Sequence, residues 1–387
     1  MLRAILFFLT CLHTLIWGGV AYVAGQQDFT PTLWIVNVAT GATTTVSLEN
    51  NSSPDSSAAG IAYLGNQLYI IGKHEGRATL WITSLQGALQ KKLQLTAESS
   101  SAFSIIAYNN KLFVTGYQDL KSRTATLWIL NRNGSIYKTT SLTLLDNYTS
   151  SQGSSLTISN NQLYITGRQR ENNSDRATLW IVDTKGNSNN PIVLDDLPSQ
   201  GNFIEANNNK LYITGDQTED FTHATLWISG LDGKVESTTP LDSTTNTTYG
   251  LSLAFFNNLI YLTGNLLDGP TLLAVFRSCL WITQMDGTVD QTIQWLADPN
   301  PSLASSVKSF DNHILVSGAR SRGEDLTSLD AMLWVLKPDG SLSKTIPLSS
   351  SSAQFSIAHS IYLLHQNPKT LNNAFKTFSP FKYQKGV

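Results

Sequence analysis

The chain is poor in charge and nearly without cysteine. Charged residues make up 14% of its 387 positions, against roughly a quarter in ordinary soluble domains, and the net charge is −2. No basic block or acidic tail interrupts it, so the charge pattern points to neither nucleic acid nor anionic lipid. Only Cys11 and Cys279 are present. A disulfide-stapled scaffold is therefore excluded, and Cys279 is expected as a small buried side chain within a strand. The sequence also lacks a His-Glu-x-x-His pair, a Gly-x-Ser-x-Gly elbow, a phosphate loop and an Asp-rich calcium loop. No cofactor, metal or catalytic residue is expected from motifs.

Apolar runs are scarce after the first 25 residues. Arg3 precedes a mostly apolar stretch from Ala4 to Val23, followed by Ala24-Gly25-Gln26. That order fits an export signal cut after Gly25, with Val23 and Gly25 as the small flank, and its length leaves an uncleaved anchor as the alternative. The sequence thus predicts a signal at residues 1–25, a folded unit at 26–367 and a tail at 368–387. The expected location is secreted, periplasmic or envelope-bound, with membrane contact only through an uncleaved N-terminus.

What is abundant is repetition. Leu-Trp-Ile, usually within Ala-Thr-Leu-Trp-Ile, recurs with its tryptophan at 34, 81, 128, 180, 227 and 281, and a Leu-Trp-Val copy holds Trp334. A second run precedes six of these, as in Asn161-Gln-Leu-Tyr-Ile-Thr-Gly167 and Asn209-Lys-Leu-Tyr-Ile-Thr-Gly215. Both runs have strand chemistry, bounded by Asn-Asn and Gly turns such as Asn133-Gly134 and Asp232-Gly233. Four strands per unit of about 47 residues describe a propeller blade, and seven tryptophans count seven blades. The first Trp strand has no Tyr-type strand before it, and the last Tyr-type strand, Ser360–Leu364, has no Trp strand after it. Pairing two N-terminal with two C-terminal strands would complete the last blade and close the ring. The fold expected is all-β, a seven-bladed propeller of four-stranded antiparallel blades. The mid-strand tryptophans are expected to fill the gaps between blades.

At Tyr164-Ile-Thr-Gly167 and Tyr212-Ile-Thr-Gly215, with Asp286-Gly287 and Asp339-Gly340 at the turns, the chain resembles the bacterial SBBP-type β-propeller repeat family. The period is also similar to kelch propellers, whose paired glycines are absent. The resemblance runs from about Pro31 to about Gln366 and implies the fold without fixing an activity.

Function is expected on the loops joining second to third strands, which hold 21 of the 54 charged residues. The position before each Leu-Trp strand motif supplies Arg77, Arg176, His223, Arg277 and Asp330, and the position after fourth strands supplies Glu49, Asp146, Asp195, Asp242 and Asp298. Together they form a candidate rim for a protein or glycan partner, bound by a monomeric, non-enzymatic module. Two alternatives stay open. A carbohydrate-active hydrolase or lyase would use two of these carboxylates across a common cavity. A structural envelope protein would carry no well-formed pocket.

Overall fold

The computed structural model describes residues 19–242, 246–268, 275–294, 300–324, 326–350 and 352–365. The apolar segment before Gly19, the tail at 368–387 and Asp298 lie outside them. The described residues form seven four-stranded antiparallel sheets arranged as a propeller. Blade 1 closes the ring, and blades 2–7 follow in chain order. Their innermost strands are β28 (Ser356–His365), β4 (Ser57–Leu64), β8 (Ser100–Tyr108), β12 (Ser150–Ser159), β16 (Ser199–Asn207), β20 (Thr247–Phe256) and β24 (Ser302–Phe310).

Blade 1 corrects two expectations. Its order is β28, β1 (Gly19–Gln27), β2 (Thr30–Asn37) and β3 (Thr43–Ser47), so it takes one strand from the C-terminal end and three from the N-terminal end. The reason lies in Ala21-Tyr22-Val23-Ala24-Gly25, a divergent copy of the Leu-Tyr-Ile-Thr-Gly strand. Tyr22 pairs with Ile35 on one side and Tyr362 on the other. The domain boundary at residue 26 is corrected with it. Val20 to Ala24 are buried, and a cut after Gly25 would remove the strand that joins β28 to β2. The small residues that suit a peptidase flank also suit blade packing, with Ala21, Val23 and Ala24 at 0% exposure. Asp28 tightens the closure, its Oδ1 accepting the amides of Gln354 and Phe355, while Phe29 stacks on Phe355 at 5.5 Å.

The Trp column packs as core. All seven tryptophans of the motif have 0% exposure, and each clusters with the preceding blade. Trp81, for example, lies against Val20, Tyr22 and Leu33 of blade 1.

The glycine at a fixed place inside each second strand has a separate cause. At Gly25, Gly72, Gly116, Gly167, Gly215, Gly264 and Gly318 a Cβ would sit 1.8–2.0 Å from a carbonyl oxygen of the innermost strand. Opposite each glycine the register of that strand slips by one residue. This is a β-bulge, which a glycine permits and which re-aims one side chain. Every blade has one.

Candidate functional site

Antiparallel order puts the loops between second and third strands on the same face as the loops between blades. On this upper face the sequence-predicted rim residues are spread apart. Arg77 is exposed and donates to Gln94 Oε1 within its own blade. Arg176 donates to the carbonyl of Asp196, Arg277 pairs with Asp268 at 2.9 Å, and Asp330 accepts from Arg322. His223 is half-buried, with Nδ1 lacking a hydrogen bond among the described residues. These positions begin third strands, two strands out from the axis, so they cannot converge on it.

The acidic set is used differently. Glu49 Oε1 accepts the indole N–H of Trp81 at 2.7 Å and pairs with Lys92. Asp195 Oδ2 accepts Trp227 Nε1 at 3.2 Å and Gln217 Nε2 at 3.0 Å. Both carboxylates therefore dip between blades to satisfy the next tryptophan rather than facing solvent. Asp146 is exposed and Asp242 half-buried. None of these four, and none of the five residues before the Leu-Trp motifs, lines either concavity described next.

The first concavity is a cleft of about 350 Å³ between blades 3 and 4, lined by Asp119, Arg123, Ser150, Ser151, Gln152, Arg168, Arg170 and Asp175. Arg170 grips Asp175 with two bonds, Nε–Oδ1 at 2.8 Å and Nη2–Oδ2 at 3.1 Å, and Arg168 Nη1 reaches the same Oδ2 at 2.9 Å. Arg123 pairs with Asp119 at 3.2 Å and lies 4.0 Å over the Tyr117 ring. Three guanidiniums thus share two carboxylates. A polar chain leads inward from this cleft. Arg168 Nη1 also donates to Gln200 Oε1, Gln200 Nε2 donates to Asp216 Oδ1, and Asn202 Nδ2 donates to the same oxygen at 3.0 Å. Asp216 is 7% exposed, and burial pushes its carboxyl up to about 6 despite the two amide donors and the Arg168 charge.

The second concavity is the central channel, enclosing about 600 Å³ and touched by all seven innermost strands. The bulges deliver one residue per blade to it: His359, Ala59, Phe103, Ser154, Asn202, Leu251 and Ser305 in ring order. Three residues deeper, Lys308 of blade 7 pairs with Glu205 of blade 5 at 3.7 Å.

The charged residues of the cleft belong to the loop charges evident in the sequence, but nothing in the repeat singles them out. The bulge ring escapes sequence reasoning altogether. The repeated glycine of the second strands carried the signal, because a glycine at a fixed repeat position inside a strand asks for a close backbone neighbour.

No protein-family model matches the sequence, and no curated protein matches it. Solved structures do resemble the fold. A periplasmic gluconolactonase from Pseudomonas aeruginosa superimposes with a TM-score of 0.57 at 11% identity, covering 90% of this chain and 99% of its own. A protein from Lactobacillus plantarum gives 0.58 at 9% identity with the same coverage. A prolyl endopeptidase gives 0.53 at 10% identity, matching 92% of this chain to 51% of its own. At such identities the likeness bears on the fold alone.

Proposed function

We propose that this protein is an exported, SBBP-type propeller acting as a non-enzymatic binding module, and that it takes the carboxylate of an acidic glycan in the cleft between blades 3 and 4. The observation that carries the reading is the excess of guanidinium over carboxylate in one small concavity. Arg168 keeps Nη2 and Arg170 keeps Nη1 clear of partners among the described residues, and a planar fork suits a carboxylate. Ser150 and Gln152 line the same walls and suit the hydroxyls of a sugar acid. The cleft and channel favour binding over a purely structural role. Hydrolysis draws less support, because Glu49 and Asp195 are committed to indole N–H groups instead of facing each other across a cavity. Export rests on Arg3 and the apolar stretch behind it, with any cleavage falling before Gly19.

The test is calorimetric titration of the full chain with trigalacturonate, cellotriose and a hexaglutamate peptide. Trigalacturonate alone is expected to bind, more weakly as salt rises, and at least tenfold more weakly in Arg123→Ala and Arg170→Ala. Binding of the peptide alone would move the reading to a protein partner. No binding, or binding unaltered in both variants, would overturn it.

A further inference from the structure

The bulge ring of the channel shares no lining residue with the cleft. Its seven positions come from seven different segments, and their order around the axis sorts them by chemistry. His359 of blade 1 and Ser305 of blade 7 are neighbours. Across the channel from His359 stand Ser154 of blade 4 and Asn202 of blade 5. Between these polar poles lie Ala59 and Phe103 on one side and Leu251 on the other.

The polar poles bring hydrogen-bonding side chains to the channel wall. Asn202 donates through Nδ2 both to Asp216 and to the carbonyl of Gly250, at 3.0 and 2.9 Å. Its amide is fixed by two acceptors, leaving Oδ1 as the atom it can present to the channel. His359 is half-buried, and its ring has no hydrogen-bond partner among the described residues. Desolvation pushes its imidazole down to about 4, so at neutral pH it offers one N–H donor and one nitrogen acceptor. The two hydroxyls add donors and acceptors that rotate to suit. The ring bears no net charge, and the nearest ion pair, Lys308 with Glu205, lies three residues deeper and is self-compensated.

We infer that the bulge ring binds a neutral, ring-shaped polyol of hexose size, its hydroxyl-bearing edge held between His359 and Asn202 and its C–H face laid on Phe103. The apolar sectors reject a fully solvated ion, and the opposed polar poles reject a purely apolar guest. A channel of about 600 Å³ admits a monosaccharide with room for bridging water. The assignment does not rest on the acidic-glycan reading, since no cleft residue belongs to the ring.

The experiment is histidine-ring proton NMR of the full chain, with His359 assigned through His359→Gln, during titration with D-glucose, D-galactose and D-mannose. At least one hexose should move the His359 resonances saturably. The apparent affinity should fall at least tenfold in Leu251→Trp and in Ser305→Phe, which fill the ring from different blades, and stay unchanged in Arg170→Ala. Two filling variants guard against one failing to fold, which retained near-ultraviolet circular dichroism would check. Unmoved His359 resonances with every hexose overturn the proposal. So does a response that survives both filling variants, or one abolished by Arg170→Ala. Failure of trigalacturonate to bind the cleft would leave these outcomes as they are, so the two sites fail separately.

Discussion

The backbone amide of Ala78 in blade 2 donates to the hydroxyl of Ser100 at the head of blade 3, at 2.8 Å. The same bond joins Ala125 to Ser151, Ala177 to Ser199, Ala224 to Thr248, Ser278 to Ser302 and Ala331 to Ser356. It ties the start of each Trp strand to the innermost strand of the next blade. Blade 1 has Pro31 at this position and no N–H to give. There the equivalent hydroxyl, on Ser56, meets His74 Nδ1 at 3.1 Å instead.

Because both partners are buried, Ser100→Ala strands an amide. It should cost about 1–3 kcal/mol, read as a lower urea midpoint at unchanged slope. Ser100→Thr should recover most of that, as Thr248 already fills the role in blade 6. Ser56→Ala would release the amide of Glu75, held at 3.3 Å on an exposed residue that water can reach, so it should cost less than Ser100→Ala.

Two glycine substitutions should separate crowding from backbone strain. Gly215→Ala drives a methyl to within 1.9 Å of the Gln200 carbonyl, a backbone atom that cannot move without undoing the bulge. A loss above about 4 kcal/mol is expected. Gly76 has φ +76°, and a methyl on its Cα would meet nothing within 4 Å, so Gly76→Ala should cost only about 1–2 kcal/mol. Thermal melts of the two variants would test the ranking.

Asp216 and His359 should pull stability in opposite directions with pH. The Asp216 carboxyl is raised from 3.8 to about 6. The fold therefore holds its proton more tightly than the unfolded chain, and stability is lost as pH climbs through that window. His359 is lowered from 6.5 to about 4. The unfolded chain takes that proton first, and stability is lost as pH falls through its window. In the natural protein the two slopes largely cancel between pH 4 and 6. Asp216→Asn should expose the histidine slope and add on the order of 3 kcal/mol at pH 7, with little effect at pH 4. His359→Phe should expose the opposite slope. Parallel pH series of denaturant melts would decide, and identical slopes in all three proteins would refute the assignment.

Cys279 should behave as a reporter of global unfolding. It is 1% exposed, and burial pushes its thiol up to about 12, so almost no thiolate forms at neutral pH. In a Cys11→Ser background a disulfide reagent should react only at the unfolding rate. Rapid labelling in native buffer would mean that blade 6 opens locally.

The sequence by itself determined the blade count, the four-strand repeat and the buried Trp column. These depend on local periodicity and turn chemistry, which each copy states in its own residues. It also contained the second strand of blade 1, at Ala21-Tyr22-Val23-Ala24-Gly25, but there the repeat reads as an export flank, since small residues serve both purposes. Only the tertiary structure decided how functional groups meet. The position of Arg77, Arg176 and Arg277 in the repeat suggested a ring, yet third strands stand too far from the axis to gather them. Asp195 looked like a rim carboxylate until blade 5 brought Trp227 against it. The bulge residues share no side-chain type, so no motif marks them. What unites His359, Asn202 and Phe103 is a backbone slip opposite a glycine, visible once the two strands are paired.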